Sequence, residues 1–278
     1  MSQVEMILQG KGGVGKSLVA TLLAQHCKST GVKTLCIDTD PVSPTFSGFE
    51  AYGVKHLDLM NGDDVDPERF DELMAMHMEA DGTPAVIIDN GGPSFVPLCS
   101  YLKESGAVAM LRESSHKVRF HTIVTGGGGE LNTLRDFSSL CKNFRDVPVV
   151  VWLNGFFGRI GGRTGQPFEE LPLFQKYEGR VAKVITLPAV RPQTFGRDIA
   201  EMMRQRLSFD QAVAGPEFHL MSRQRMKMYW RGMDGRITAA ELWKRRGRRR
   251  SLAPCRCPFH PPPPPMMNVQ RGLDSPRV

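Results

Sequence analysis

The sequence predicts an α/β fold, a mostly parallel twisted sheet with helices on both faces. Three observations point there. Apolar runs of strand length recur along the chain and close on Asp or Asn. Segments with apolar residues at helical spacing lie between them. A glycine-rich turn joins the first strand-like run to the first helix-like one. Strands alternating with helices are the pattern of a parallel sheet.

The first element is Val4-Glu5-Met6-Ile7-Leu8, a short, mostly apolar run suited to a buried strand. Next come Gly10, Lys11, Gly12, Gly13, Val14, Gly15, Lys16 and Ser17. They fit G-x-x-x-x-G-K-[ST], the phosphate-cradling P-loop. Its glycines let the backbone turn sharply and aim successive N–H groups at a phosphate chain. Lys16 supplies a point charge for the outer phosphates, and the Ser17 hydroxyl is placed for Mg²⁺. From Ser17 and Leu18 to Cys27 the chain is apolar at helical spacing, and the helix adds its positive dipole end. Strand, loop and helix together make a P-loop NTPase the expected fold. Gly10 through Leu18 are the expected nucleotide-binding residues.

Gly31 is a helix stop, and Thr34-Leu35-Cys36-Ile37-Asp38 reads as the second strand. It ends in Asp38-Thr39-Asp40-Pro41, on the edge where open α/β sheets bind ligands. Asp38 is expected beside the P-loop serine and the metal. Asp40 is expected to hold a metal-bound water or to orient an attacking one. Asp63 to Glu68 resembles an acidic metal cluster but reads better as a helix start, with Asp66 as N-cap and Pro67 at N1.

Pro84-Ala85-Val86-Ile87-Ile88-Asp89 is an apolar strand closing on an acid, the Walker B pattern, so Asp89 is a Mg²⁺ residue reached through water. Asn90-Gly91-Gly92 then offers a backbone able to approach a γ-phosphate. Residues 107–111 and 120–124 read as further strands. The glycines of Thr125-Gly126-Gly127-Gly128-Gly129-Glu130 fit either a second anion nest or a permissive loop. Leu131 to Phe144 is a helix. Val147 to Asn154 is a strand, and the Asn154 amide can both donate to and accept from an adenine edge. Gly155 to Pro167 is loop. Val181 to Leu187 is the last strand, ending at Pro188 where a base could pack. Helical stretches follow near 197–207 and 217–228.

The net charge of +7 does not describe the domain. From Arg231 onward there are eleven Lys/Arg against three Asp/Glu, which leaves residues 1–230 at −1. The domain expected over 1–230 therefore carries no nucleic-acid footprint. Residues 231–278 read as a disordered tail with a polybasic block, Lys244 to Arg250, and a proline run, Pro261 to Pro265. Such a tail could touch nucleic acid or an anionic membrane. No apolar run reaches transmembrane length, and no leader precedes the P-loop, so a cytoplasmic location is expected. Four of the six cysteines fall in apolar segments, as buried thiols of such a protein do.

Lys11 is more than a plain P-loop requires. Lys11-Gly-Gly-Val-Gly-Lys16-Ser17 resembles the deviant Walker A box of the ParA/MinD family of ATPases. Asp38-x-Asp40-Pro41 resembles that family's switch I, and Asp89 its Walker B acid. Leu8-Gln9, Asp38 to Val42, Ile88 to Gly91, His121 to Gly127, Val151 to Asn154 and Phe195 to Asp198 resemble a branch serving conjugal transfer of broad-host-range plasmids. The resemblance covers roughly residues 3–228. It implies an ATP-dependent sandwich homodimer in which Lys11 reaches the partner's nucleotide, and in which Asp40 positions water. It also implies a protein partner in the conjugative transfer machinery. Asn90-Gly91 after the Walker B acid and Val42 after Asp40-Pro41 depart from the wider family, and both bear on turnover rather than binding. A non-hydrolysing nucleotide-binding scaffold and a DNA-partitioning ATPase are the alternative readings.

Overall fold

A computed structural model describes residues 2–79, 83–161 and 165–243 of the chain. Its first strand, β1 (Gln3–Ile7), runs into the glycine loop and then into α1 (Lys16–Thr30). Gly31 closes α1 in the left-handed conformation, where its lack of a Cβ matters. The Val32 N–H turns back to the Cys27 carbonyl at 2.8 Å. β2 (Thr34–Asp38) follows, then the short strands β3 (Lys55–His56), β4 (Met60–Asn61) and β5 (Asp64–Val65). Helix α2 (Pro67–Glu79) starts as expected: the Asp66 carboxylate accepts the Glu68 N–H at 2.9 Å.

β6 (Ala85–Asp89) leads to α3 (Phe95–Glu104) and α4 (Ala107–Glu113). The strand expected at 107–111 is therefore a helix. Ala107, Val108 and Leu111 are its buried residues, a spacing that suits one helical face. β7 (Lys117–Thr125), α5 (Glu130–Asn143), β8 (Val149–Asn154), α6 (Pro172–Tyr177) and β9 (Val181–Leu187) complete the alternation. Helices α7 (Arg197–Arg204), α8 (Phe209–Ala214) and α9 (Leu220–Ala240) close the domain.

The main sheet has seven strands in the order β3-β2-β6-β1-β7-β8-β9, and all its pairings are parallel. Strand alternation divides the core. Ala85 and Ile87 of β6 and Val150 and Trp152 of β8 face α1 and α9. Val86 and Ile88 face the other layer with Phe70, Leu98 and Leu111. Val149, Val151 and Leu153 pack on Phe137 of α5. Each large apolar side chain fully buried this way contributes about 1.5–3 kcal/mol.

The boundary expected at residue 230 falls inside α9. The helix runs on to Ala240 because Met233 and Ile237 are fully buried, and Leu242 and Trp243 pack beyond it. Trp243 stacks on His26 of α1, and His26 Nδ1 lies 2.7 Å from the Asp234 carboxylate. The polybasic block and the proline run lie outside the described residues. Among the described residues no helix is long and apolar enough to cross a membrane. Cys27, Cys36 and Cys141 are buried free thiols and Cys99 is half-buried.

Candidate nucleotide site

β1 sits between β6 and β7, while the chain leaves it for β2 on one side and later fills β7 on the other. This reversal puts the loop after β1 in the crevice where doubly wound sheets hold ligands. Gly13 and Gly15 take left-handed backbone, φ 73° and 107°, so two of the motif's glycines answer a steric demand. Gly12 and Gly13 are exposed, Val14 is anchored in the core at 4% exposure, and Leu18 packs half-buried on the same cluster. A glycine frame held by one buried valine leaves its outer backbone free to face a phosphate chain.

Lys16 is 8% exposed, and its ammonium lies 3.5 Å from the Lys11 carbonyl. Burial pulls its pKa below the ordinary lysine value, against the charges of Asp89, Asp40 and Asp136. The charges of three carboxylates thus act on one cation of the loop, none of them in an ion pair with it among the described residues. The Lys11 side chain is exposed instead.

Asp89 ends β6, in register with Asp38 of β2 on one side and Ile7 of β1 on the other. It is 2% exposed, and its Oδ1 has no hydrogen-bond partner. Burial pushes its pKa up to about 7, although a hydrogen bond from Ser17 opposes the shift. A buried carboxylate oxygen left unpaired beside the Ser17 hydroxyl suits a hard cation that takes oxygen ligands. These two residues fit Mg²⁺.

Asp38 and Asp40 are placed differently. Asp38 is fully buried, and its two oxygens accept the N–H groups of Asp40 at 3.0 Å and Ser47 at 2.8 Å. Its geometry shapes the loop after β2. Burial raises its pKa, against those two bonds. Asp40 is half-buried, and its Oδ1 accepts from Val42 at 2.9 Å and Ser43 at 3.0 Å. The carboxylate is thereby folded into its own loop.

Asn154 ends β8, with both ends of its amide engaged. Nδ2 donates to the Val14 carbonyl at 2.9 Å, and Oδ1 accepts from Phe156 at 3.1 Å. The side chain ties the P-loop to the sheet edge. Pro188 follows Leu187, the register partner of Asn154, and is half-buried. The glycine run after β7 has a packing reason: a Cβ on Gly126 would lie 2.3 Å from the Arg159 carbonyl oxygen.

Sequence reasoning missed Asp136. From α5 its Oδ2 accepts the Gly10 N–H at 3.0 Å and the Gln9 side-chain amide, so it holds the first turn of the P-loop. Gln9 in turn accepts the Thr122 hydroxyl at 2.6 Å. A lone acid on an amphipathic helix gives no signal of this, because its target lies 126 residues away.

Fold and loop define the class. The chain belongs to the CobQ/CobB/MinD/ParA nucleotide-binding domain family, whose description matches residues 6–236. Within it, the chain is similar to two Escherichia coli proteins called TraL. One is 44% identical over 229 residues, covering 82% of this chain and 94% of that protein. The other is 42% identical over 243 residues, covering 87% and 100%. Among solved structures, the MinC:MinD cell division protein complex of Aquifex aeolicus aligns over 84% of this chain and 96% of that one, at 14% identity and a TM-score of 0.47.

Proposed function

We propose that this protein is an ATP-binding, ATP-hydrolysing switch of ParA/MinD type that serves plasmid conjugative transfer from the cytoplasm. The observation that carries the reading is the convergence of Lys16, Ser17 and the unpaired Asp89 oxygen at the P-loop. Gly10 to Leu18 cradle the triphosphate, and Lys16 neutralises its outer oxygens. Ser17 and Asp89 would hold Mg²⁺, with Asp38 and Asp40 behind them. Bound Mg²⁺ would offset charge on the bridging and terminal phosphate oxygens. Asp40 orients the attacking water once its carboxylate leaves Val42 and Ser43. Lys11, exposed at the rim, reaches the nucleotide of a second subunit in an ATP-dependent homodimer, where a cation delivered in trans stabilises developing charge. The dimer's target is a protein of the transfer machinery, a role supported by the likeness to the TraL proteins.

Turnover of ATP by the purified protein, lost in Lys16→Ala and in Asp40→Ala, is the expected result. One observation favours a second reading, a nucleotide-binding scaffold without hydrolysis: the Asp40 carboxylate is already bonded within its loop. Tight ATP binding with no turnover would select that alternative.

A further inference from the structure

Three polar side chains beside the nucleotide site are completely buried and belong to neither the P-loop nor the acids: Thr39, Asn90 and Ser94. A buried amide is costly unless its donors and acceptors are met. Asn90 meets its own between two loops. Its Oδ1 accepts the Ser94 hydroxyl at 3.1 Å and shares the Thr39 hydroxyl with the Asp89 carbonyl, each at 3.2 Å, and its Nδ2 donates to the Gly91 carbonyl at 3.0 Å. The Thr39 backbone N–H adds a bond to the Asp89 carbonyl at 2.8 Å. Thr39 directly precedes Asp40, and Asn90 directly follows Asp89. The cross-link therefore sits one residue from each acid.

The two glycines after Asn90 close the gap on either side. A Cβ on Gly91 would lie 3.0 Å from the Asp40 Cα and 2.9 Å from its carboxyl carbon. A Cβ on Gly92 would lie 2.8 Å from the Gly10 carbonyl oxygen. The loop after β6 is thus pressed against the P-loop at one glycine and against Asp40 at the other. Packed contacts this tight shift together rather than deform separately.

We propose that Asn90 is a positioning residue that, through Thr39, couples the loop after β6 to the loop after β2, so that occupancy of the phosphate site is transmitted to Asp40. The inference rests on the nucleotide-binding reading above. A purely structural Asn90 would lower stability when replaced but leave ATP's effect on the loop intact. A coupling Asn90 separates binding from response.

The test measures hydrogen exchange of residues 39–48, with and without ATP and Mg²⁺, alongside affinity for a fluorescent ATP analogue. The proteins are wild type, Thr39→Ser, Thr39→Val and Asn90→Ala. All four are expected to bind ATP, and ATP should slow exchange in this segment about tenfold or more in wild type and Thr39→Ser. Thr39→Val and Asn90→Ala should bind without that slowing. Thr39→Val is nearly isosteric, so it decides the matter if Asn90→Ala does not fold. Normal slowing in Thr39→Val would overturn the coupling while leaving nucleotide binding in place. A wild type that binds no ATP would overturn both.

Discussion

The indole N–H of Trp152 donates to Nδ1 of His121 at 2.9 Å, and that bond sets the charge of a fully buried ring. An indole nitrogen only donates, so Nδ1 must accept and the ring proton sits on Nε2. Nε2 lies 2.8 Å from Glu5 Oε2, and Glu5 also takes the Arg119 guanidinium. His121 is thus neutral and Glu5 ionised. Burial pushes the His121 pKa down, and the pull of Glu5 does not reverse it. Burial works the other way on Glu5, but the His121 bond and the Arg119 charge outweigh it and hold that carboxyl below its usual range.

The His121 contribution should therefore fall from near pH 6.5 downward, while Asp89, raised by burial to about 7, works in the opposite sense as it protonates. The folded His121 binds its proton less readily than the unfolded one, so its contribution is full above the unfolded pKa and is lost as pH falls toward the folded value. One such group gives a slope of up to about 1.4 kcal/mol per pH unit. Glu5, depressed in the fold, adds a further loss below about pH 4.5. In denaturant melts between pH 8 and 5, wild type should lose stability on acidification relative to His121→Gln, since the Asp89 contribution is common to both. An identical slope in that variant would assign the acid sensitivity elsewhere. Trp152→Phe strands Nδ1 and should cost about 1–3 kcal/mol at pH 8.

The same network fixes where the domain ends. Arg119 also donates to the Leu242 carbonyl, and Asp234, Met233, Ile237 and Trp243 hold the last turns of α9 to α1 and the sheet. A chain stopped at residue 230 loses these. At about 1.5–3 kcal/mol per buried apolar side chain, the loss rivals a domain's entire stability. A chain ending at residue 243 should melt cooperatively, and one ending at 230 should show no cooperative transition by circular dichroism. Equal melting of the two would show that the end of α9 is dispensable.

Much of this was legible in local pattern. β2, β6 and β8 are apolar runs that terminate in Asp38, Asp89 and Asn154, and the glycine loop announces its own turn. Residues 107–111 misled because a five-residue apolar run fits a buried strand and a short helix equally. Periodicity carries no information about partners far apart in sequence. Glu5 reads as an interruption in a strand until His121, 116 residues later, is seen beside it. Asn154 reads as a free amide until Val14 is found against it, 140 residues away. Buried polar networks are tertiary facts, and this site is framed by them.

The Asn154 brace makes a prediction that separates it from base recognition. Asn154→Ala removes the bond to Val14 and releases the loop whose Gly15 is held at φ 107°. Loss of about 1 kcal/mol of loop positioning corresponds to roughly fivefold weaker nucleotide binding. A brace acts on the phosphates, so ATP and GTP should weaken alike in fluorescence titrations. A loss confined to ATP would instead assign Asn154 to the adenine edge. Asn154→Asp should do worse than alanine, because it sets a carboxylate against the Val14 carbonyl.

Lys11 carries the last prediction. It stands exposed in a loop whose other lysine is buried among carboxylates, and its ammonium enters no ion pair among the described residues. A cation so placed adds little to its own subunit's fold, so replacing it should leave melting temperature and ATP affinity nearly unchanged. Its contribution would appear only when a second subunit brings a triphosphate within reach, where two apposed anionic ligands need charge that neither site supplies alone. Light scattering after size exclusion should show ATP converting the 31.0 kDa monomer to twice that mass in wild type and not in Lys11→Ala. A wild type that stays monomeric with saturating ATP would sink the sandwich dimer. A Lys11→Ala protein that still dimerises would leave the dimer standing but remove its trans cation.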